Sequence, residues 1–278
     1  MTDQRLPTYF LSHGAGPWSY MHGDFRERFA ALEHSLVAMR NELGDAPKAV
    51  LMISAHWEEN GFAISSAAQP GMIYDYHGFP DYTYDVHYRA PGSPELAHRV
   101  ERLLRDGGML AWLDAERGYD HGTFGVLKPL YPAENMPVVQ LSLNRNLDSG
   151  LHIEVGRLLA PLRSEGILII GSGQSFQNLA LRDARARVPS AEFDAWLQQT
   201  LLQSSPGERR ARLLHWEQAP YARLAHAREE HLIPLMVAVG AAEDEAGSCI
   251  YREQLFGLMT AASFRFGPLP LAGQRVDR

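Results

Sequence analysis

The sequence predicts a single α/β domain over residues 1–278, built on a largely parallel central sheet flanked by helices. Three observations support this fold class. Short apolar runs alternate with amphipathic stretches of about 10 or more residues, the pattern of βαβ units. The chain of 278 residues is long enough to bury a substantial core. Its sequence contains no internal repeat, low-complexity tract or linker-like segment that would divide it.

Ten segments carry the patterns of strands and helices. The predicted strands are the short apolar runs Thr8–Ser12, Ala49–Ser54, Phe62–Ser66, Pro137–Leu143 and Gly166–Ser172. The predicted helices are the amphipathic stretches Asp24–Glu42, Ser93–Asp106, Ser149–Arg163, Ala191–Gln203 and His231–Val239. Asn60–Gly61 is a typical turn dipeptide, so we expect the strands on either side of it to form a hairpin. Tyr251–Pro268 is expected to add a closing pair of strands.

Composition excludes several classes of protein. The formal net charge is −7 and the basic residues are scattered, which argues against nucleic-acid binding. No apolar run approaches the roughly 18 residues that span a bilayer, and the N-terminus does not resemble a signal peptide. The single cysteine, Cys249, excludes an internal disulfide and a cysteine metal cluster. We therefore expect a cytoplasmic protein that binds neither nucleic acid nor membrane; a homo-oligomeric state is compatible with the sequence.

Histidine is abundant, with 12 residues in the chain. Some of these residues lie in polar helical patterns and are predicted to be at the surface: His34, His98, His152 and His215. Most of the others neighbour glycine, proline or aromatic residues, a context that is unusual for helical surfaces. This difference is the first indication of a functional site.

Polar residues follow three of the predicted strands. His13 comes one residue after the first strand, and His56 comes two residues after the second. The segment GSGQSFQNLA, Gly171–Ala180, forms the end of the Gly166–Ser172 strand and the loop after it. In doubly wound folds the carboxyl ends of the strands line a common crevice. We therefore expect these loops to converge.

Two further histidines stand at the beginning of helical patterns. His121 lies between Asp120 and Gly122, and His231 follows Glu229 and Glu230. Each of these histidines, like each strand-end histidine, could instead cap a helix or form a buried hydrogen bond. Imidazole suits Zn, Fe, Cu and Ni alike, and the candidates are separated by tens of residues. Spacing alone therefore indicates a histidine-lined site without showing that the histidines meet.

Taken together, several motifs resemble the class III extradiol ring-cleavage dioxygenases, specifically their DOPA-dioxygenase-like branch. They follow the order of the family over most of the chain: LSHGAGP (Leu11–Pro17), ISAHWE (Ile53–Glu58), HGFPDYTYDVHYRAPGSPELA (His77–Ala97), GYDHGTFGVLKPLYP (Gly118–Pro132), MPVVQLSL (Met136–Leu143), GILIIGSGQSFQNL (Gly166–Leu179) and EEHLIPL (Glu229–Leu235). The resemblance implies a single-domain enzyme that holds one divalent metal, Fe(II) or Zn(II), and uses O2 to cleave a small catecholic substrate.

The resemblance also implies roles for individual residues. His13, His56 and His231 match the metal ligands, and His121 matches a catalytic histidine on the substrate side. The family has a further histidine in the loop GSG-x-x-x-H-N-L, as an additional ligand or as the catalytic base. Gln177 stands at that position here, while Gln174 is expected to be incidental. Tyrosines of the Tyr74–Tyr88 loop either line the substrate pocket or pack in the core.

Gln177 leaves three explanations open: a natural variant with a different substrate or weak activity, an introduced substitution, or a loss of catalysis. Glutamine cannot take up a proton near neutral pH and is a poorer ligand than imidazole. Two alternatives to the dioxygenase hypothesis also stand. One is a zinc hydrolase with Glu58 or Glu230 as its base. The other is an inactive homologue that binds metal or catechol without turnover.

Overall fold

Eight strands form one sheet in the computed structural model, which describes residues 5–181 and 183–270. The ends of the predicted 1–278 domain lie outside these residues. The sheet order is β4-β3-β5-β2-β6-β1-β8-β7. The strand bounds are β1 Thr8–Ser12, β2 Ala49–Glu59, β3 Phe62–Ser65, β4 Ala111–Asp114, β5 Val138–Asn144, β6 Ile167–Gly173, β7 Gly247–Leu255 and β8 Met259–Phe266.

The centre of the sheet is parallel, as predicted. β5, β2, β6 and β1 pair in parallel, whereas β8 and β7 close one edge in antiparallel pairing. The final two strands confirm the strand pair expected over Tyr251–Pro268. The sequence does not predict β4, because a run of only four residues, AWLD, is too short to stand out as a strand. It pairs in parallel with β3 and forms the opposite edge.

Helices cover both faces of the sheet, so the central strands are apolar on both sides. In β6, Ile167 and Ile169 face one core, while Leu168 and Ile170 face the other. Among the described residues, no helix combines the length and apolar character needed to cross a membrane. The helix bounds are α1 Asp24–Glu27, α2 Ala30–Leu43, α3 Pro94–Asp106, α4 His121–Leu130, α5 Ser149–Leu159, α6 Arg187–Gln198, α7 Pro206–Leu214, α8 Ala222–Ala225 and α9 Ile233–Ala242.

Some helix boundaries differ from the predictions. The stretch Asp24–Glu42 is two helices, because the backbone leaves the helical region at Phe29 (φ −110°, ψ 13°), whose side chain is buried in the core. The stretch Ser149–Arg163 is helical only to Leu159 and then tightens into a 3₁₀ segment. Periodicity of apolar residues does not reveal such changes in backbone geometry.

The predicted hairpin around Asn60–Gly61 is wrong. The chain does reverse there, but β5 lies between β2 and β3 in the sheet. β2 continues to Glu59, beyond its predicted end, and β3 then pairs in antiparallel with β5 through Ile64 and Leu141. β5 is buried on both faces and takes a neighbour on each side, which displaces the local pairing that the turn dipeptide predicts.

His152 is buried, contrary to the surface position predicted for it, whereas His34, His98 and His215 are exposed. Its Nδ1 donates to the Asp148 carbonyl at 2.7 Å, and its Nε2 accepts from the Asn144 N–H at 3.1 Å. This pattern requires the neutral ring. Burial, the largest influence, lowers the pKa of His152 from 6.5 to about 4.

We predict that His152 makes folding sensitive to mild acid. Between pH 6.5 and about 4 the unfolded chain binds a proton at His152 that the folded chain does not bind. The stability from this residue is therefore complete above pH 6.5, and it falls by about 1.4 kcal/mol per pH unit below that value. Urea unfolding at pH 7, 6 and 5 should show a steeper loss in the parent protein than in His152→Gln.

The matched control is His98→Gln on the exposed surface of α3, which should keep the pH dependence of the parent protein. Equal slopes for all three proteins would contradict the assignment.

Candidate metal centre at the carboxyl edge of the sheet

His13 follows β1 directly and is almost completely buried. Its N–H donates to the Gly173 carbonyl at 3.1 Å, and its carbonyl accepts from the Trp18 indole at 2.7 Å. Gly14 has a φ of +79°, and a Cβ at this residue would lie 2.4 Å from the Trp18 ring. The turn therefore requires glycine, and both backbone groups of His13 are held where its side chain enters the site.

His56 lies inside β2, whereas the sequence predicted a position two residues beyond the strand. β2 pairs with β6 as far as Ser54, and its register with β5 shifts between Ile53 and Glu58. This irregularity is a β-bulge, which bends a strand and redirects its side chains. The His56 and His13 rings meet at this edge, with their Nε2 atoms 3.3 Å apart.

His121 is the first residue of α4, in agreement with the predicted helical pattern after it. The preceding residue, Asp120, is the N-cap, and its side chain accepts a hydrogen bond from the Thr123 N–H at 3.0 Å. Aspartate is among the preferred N-cap residues because its oxygen satisfies an otherwise free N–H of the first turn. The cap fixes the point at which the helix begins and so directs the His121 ring into the site.

His231 lies two residues before α9. Its Nδ1 donates to Glu230 at 2.8 Å, and its carbonyl accepts from the Gln174 N–H at 3.0 Å. The His231 backbone lies directly against β6, since a Cβ at Gly173 would be 2.1 Å from the His231 carbonyl oxygen. Glycine at the end of β6 therefore allows this histidine to approach the sheet.

The four predicted histidines converge. The ring centroid of His13 lies 4.9 Å from that of His56, 5.1 Å from that of His121 and 5.2 Å from that of His231. The His56 centroid is 4.0 Å from His121 and 4.9 Å from His231. One ring nitrogen from each of His13, His56 and His121 lies within 4.8 Å of the others, close enough to hold a metal ion.

Asp75 is a carboxylate of the site that no sequence pattern predicts. Its Oδ1 accepts hydrogen bonds from the Nδ1 of His121 at 2.9 Å and from the His121 N–H at 3.1 Å. Its Oδ2 makes no hydrogen bond but lies 3.3 Å from the Nδ1 of His56. Burial alone would raise the pKa of Asp75, but the hydrogen bond from His121, followed by the proximity of the His121 and His56 rings, lowers it to about 2.

The electrostatics of the site favour neutral imidazoles. Burial, followed by the mutual repulsion of neighbouring imidazoles, lowers the pKa of His13 and of His56 well below the usual value. The Nε2 of His231 is buried without a hydrogen-bond partner among the described residues, while its Nδ1 is bonded to Glu230. Such lone pairs are costly to leave unmatched and are the donors that Zn and Fe prefer. These residues fit a divalent metal.

Gln174 is not incidental, contrary to expectation. Its side chain accepts from the Ser12 hydroxyl at 2.5 Å and donates to the Gly14 carbonyl at 2.5 Å. Its backbone N–H donates to the His231 carbonyl. This buried amide therefore connects the turn that carries His13 to the segment that carries His231. No sequence pattern around the GSG motif indicates such a cross-link.

Gln177 lies farther along the same loop and is half-buried. Its N–H donates to the Ala225 carbonyl at 2.9 Å, and it forms an isolated bridge with His226. Its side chain makes no hydrogen bond to another described residue. The role of Gln177 at a position where the family has histidine stays a prediction.

Comparison with known proteins identifies the family of this chain. The model of a family described as the catalytic LigB subunit of aromatic ring-opening dioxygenase matches residues 7–267. The chain belongs to the LigB family. Membership confirms the resemblance seen in the sequence and the enzyme class, an aromatic ring-opening dioxygenase of the extradiol type.

Several relatives align over nearly the full chain. A protein of Portulaca grandiflora named 4,5-DOPA dioxygenase extradiol is 39% identical over 266 residues, covering 93% of this chain and 95% of the relative. A protein of the same name from Beta vulgaris is 36% identical and covers 95% of this chain and 97% of the relative. The crystal structure of an uncharacterized protein from Escherichia coli K12 has a TM-score of 0.77 at 29% identity, and it covers 95% of this chain and 100% of that chain.

We predict that Asp75 supports metal binding through His56, because its Oδ2 places a negative charge 3.3 Å from the Nδ1 of that ring. Replacing a carboxylate that orients a ligand imidazole costs about 10–100-fold in metal affinity. Asp75→Ala should therefore weaken Zn(II) binding by about that factor, as measured by competition with a chromophoric chelator.

Asp85→Ala is the matched control, because Asp85 lies in the same loop and its side chain is 93% exposed. It should bind Zn(II) as the parent protein does. If Asp75→Ala bound Zn(II) with the affinity of the parent protein, Asp75 would have no role in metal binding.

Proposed function

We propose that the chain is a non-haem, metal-dependent extradiol dioxygenase that opens the ring of a small catecholic substrate with O2. The observation that carries this proposal is the meeting of four histidines, from four separate segments, at the carboxyl edge of the sheet. LigB-family membership supplies the reaction class. The relatives named 4,5-DOPA dioxygenase extradiol support a catechol as substrate, because DOPA is a catechol.

His13, His56 and His231 are the proposed ligands of one Fe(II) or Zn(II) ion. His231 is included because its Nε2 is buried without a hydrogen-bond partner, while Glu230 orients its Nδ1. An imidazole whose second nitrogen donates to a carboxylate is a typical metal ligand. When bound, the ion supplies a template for both catechol oxygens and stabilises their negative charge.

His121 is the proposed acid–base residue. His121 and His231 differ at Nε2. In His231 this atom is buried and lacks a hydrogen-bond partner, whereas the Nε2 of His121 is not a buried atom of that kind. Because Asp75 accepts a hydrogen bond from the Nδ1–H of His121, Nε2 carries the lone pair and can take a phenolic proton from the substrate. Asp75 then stabilises the imidazolium until the proton is returned.

Aromatic side chains stand beside this histidine. The Tyr76 ring centroid lies 6.0 Å from that of His121 and 5.5 Å from that of Phe79. Tyr76 is buried and its hydroxyl donates to the Thr83 carbonyl, so this hydroxyl is already hydrogen-bonded within the protein. These rings form an apolar wall that suits an aromatic substrate, although Tyr76 also packs in the core.

Gln177 cannot share the proton transfer, since an amide neither accepts nor releases a proton near neutral pH. We infer that acid–base work in this chain rests on His121 alone. The three proposed ligands do not include residue 177, so the metal would be retained.

The hydrolase alternative has little support in the geometry. Glu58 forms two hydrogen bonds with Arg228, and Glu230 accepts from the Nδ1 of His231. Burial alone would raise the pKa of Glu230, but the His231 hydrogen bond and nearby charges lower it below the usual value. A carboxylate held in this way is a weak base for activating water.

The ligand set and the function are tested in one experiment. His13→Ala, His56→Ala and His231→Ala should lose the bound metal, whereas His121→Ala should retain it. Oxygen uptake with DOPA and other catechols should fall by about 10²–10⁴-fold in His121→Ala, the usual contribution of an acid–base residue. Metal content is measured by elemental analysis, and ring opening by oxygen electrode and the yellow product.

Loss of metal in His121→Ala with retention in His231→Ala would replace the proposed ligand set with His13, His56 and His121. Product formed without oxygen would favour the hydrolase. A metal-loaded parent protein without turnover of any catechol would indicate an inactive homologue.

Gln177→His should raise ring cleavage in the metal-loaded protein. A second imidazole would restore a proton acceptor worth about 10²–10⁴-fold, or add a ligand to the ion. Steady-state oxygen uptake checks the increase, and Leu179→His, at an exposed position of the same loop, is the control. If Gln177→His showed no increase in oxygen uptake with any catechol, residue 177 would have no part in the reaction.

A further inference from the structure

Arg117 contacts the bulge of β2 and is not one of the side chains that meet at the four histidines. One guanidinium nitrogen, Nη2, donates to the His56 carbonyl at 3.1 Å and to Asp120 Oδ2 at 2.8 Å. The guanidinium carbon lies 4.8 Å from the centroid of the Trp57 ring, in a cation–π contact. The Arg117 N–H donates to Asp114 Oδ1 at 2.9 Å, which holds the residue just beyond β4.

The bulge leaves His56 without the regular sheet hydrogen bonds that hold β2 elsewhere. Pairing with β6 ends at Ser54, and the pairing with β5 resumes only at Glu58. The His56 N–H instead donates to the Ser54 hydroxyl oxygen at 3.2 Å, and the His56 carbonyl accepts from Arg117. Side chains therefore hold both backbone groups of His56.

The Ser54 and Arg117 side chains both donate hydrogen bonds to one carboxylate, that of Asp120. Asp120 is completely buried; its Oδ1 accepts from the Ser54 hydroxyl at 2.8 Å and its Oδ2 accepts from Arg117. The same carboxylate caps α4, whose first residue is His121. Arg117 and Asp120 thus connect the backbone of His56 in the sheet to the helix that presents His121.

We propose that Arg117 is a positioning residue that sets the separation of His56 and His121 by fixing the bulge to the start of α4. The two ring centroids are 4.0 Å apart and belong to different layers of the fold. Without Arg117 the bulge would be held only through Ser54, and the buried Asp120 would lose its charge partner. The consequence for metal affinity rests on the metal centre of the proposed function, whereas the consequence for the bulge does not.

Three variants separate positioning from stability. Arg117→Lys keeps the charge but cannot reproduce the planar, cation–π-stacked guanidinium. Arg117→Met combined with Asp120→Asn removes both charges, so that no unpaired buried charge unfolds the protein, and asparagine still caps α4. Arg105→Met, on the exposed face of α3, is the control.

Two measurements decide the proposal. Zn(II) affinity should fall by about 10–100-fold in Arg117→Lys and in the double variant, as expected when support for a ligand is lost. In the metal-free protein, amide hydrogen exchange of residues 55–58 should accelerate, while the amides of β1 and β6 exchange as in the parent. Arg105→Met should change neither quantity.

Unchanged exchange at residues 55–58 in both variants would overturn the proposal, whatever the metal affinity. Equal acceleration throughout the sheet would also overturn it, because it would indicate general destabilisation. If the parent protein binds no Zn(II), the metal centre of the proposed function fails, and the exchange data still decide the role of Arg117.

Discussion

The register of three parallel strands determines where the site can form. Ser172 in β6 is paired with Leu11 of β1 on one side and with Ser54 of β2 on the other. The two outer strands therefore reach the carboxyl edge at nearly the same level. His13 and His56 each lie two residues beyond these paired positions, on either side of β6. Their side chains meet across the end of that strand. A shift of register would move one histidine out of reach of the other.

Polar groups at this edge are buried in a protein interior, and hydrogen bonds make that burial tolerable. Neutral imidazole rings avoid the cost of buried charge. Asp75 and Glu230 each accept a hydrogen bond from the Nδ1–H of a histidine ring. Gln174 and Asp120 act at a greater distance from the centre: the first connects two histidine-bearing segments, and the second connects a strand to a helix. The supporting residues come from chain segments far apart in sequence, so the site depends on the complete sheet.

Much of the fold and part of the site could be predicted from the sequence. Apolar runs locate the central strands because these strands are buried on both faces, and strand ends and helix starts identify the four histidines. The pairing of β5 between β2 and β3 could not be predicted, since a turn dipeptide reports only local geometry. Asp75 lies in an irregular loop without periodicity, and no short-range signal aligns it with His121. His152 resembles a surface residue in sequence because its partners are backbone groups.

The close approach of His231 to Gly173 divides the loop after β6 into two parts with different freedom. Residues up to Phe176 are fixed by steric contact, burial and hydrogen bonds, so substitution there would disturb the backbone on which the histidines stand. Gln177 lies beyond that packed region, and its described hydrogen bond uses only the backbone. An engineer could therefore exchange the chemical group at residue 177 while leaving the frame intact. Residue 177 is therefore a position at which the proposed function can be tested by a single substitution without disturbing the supporting backbone.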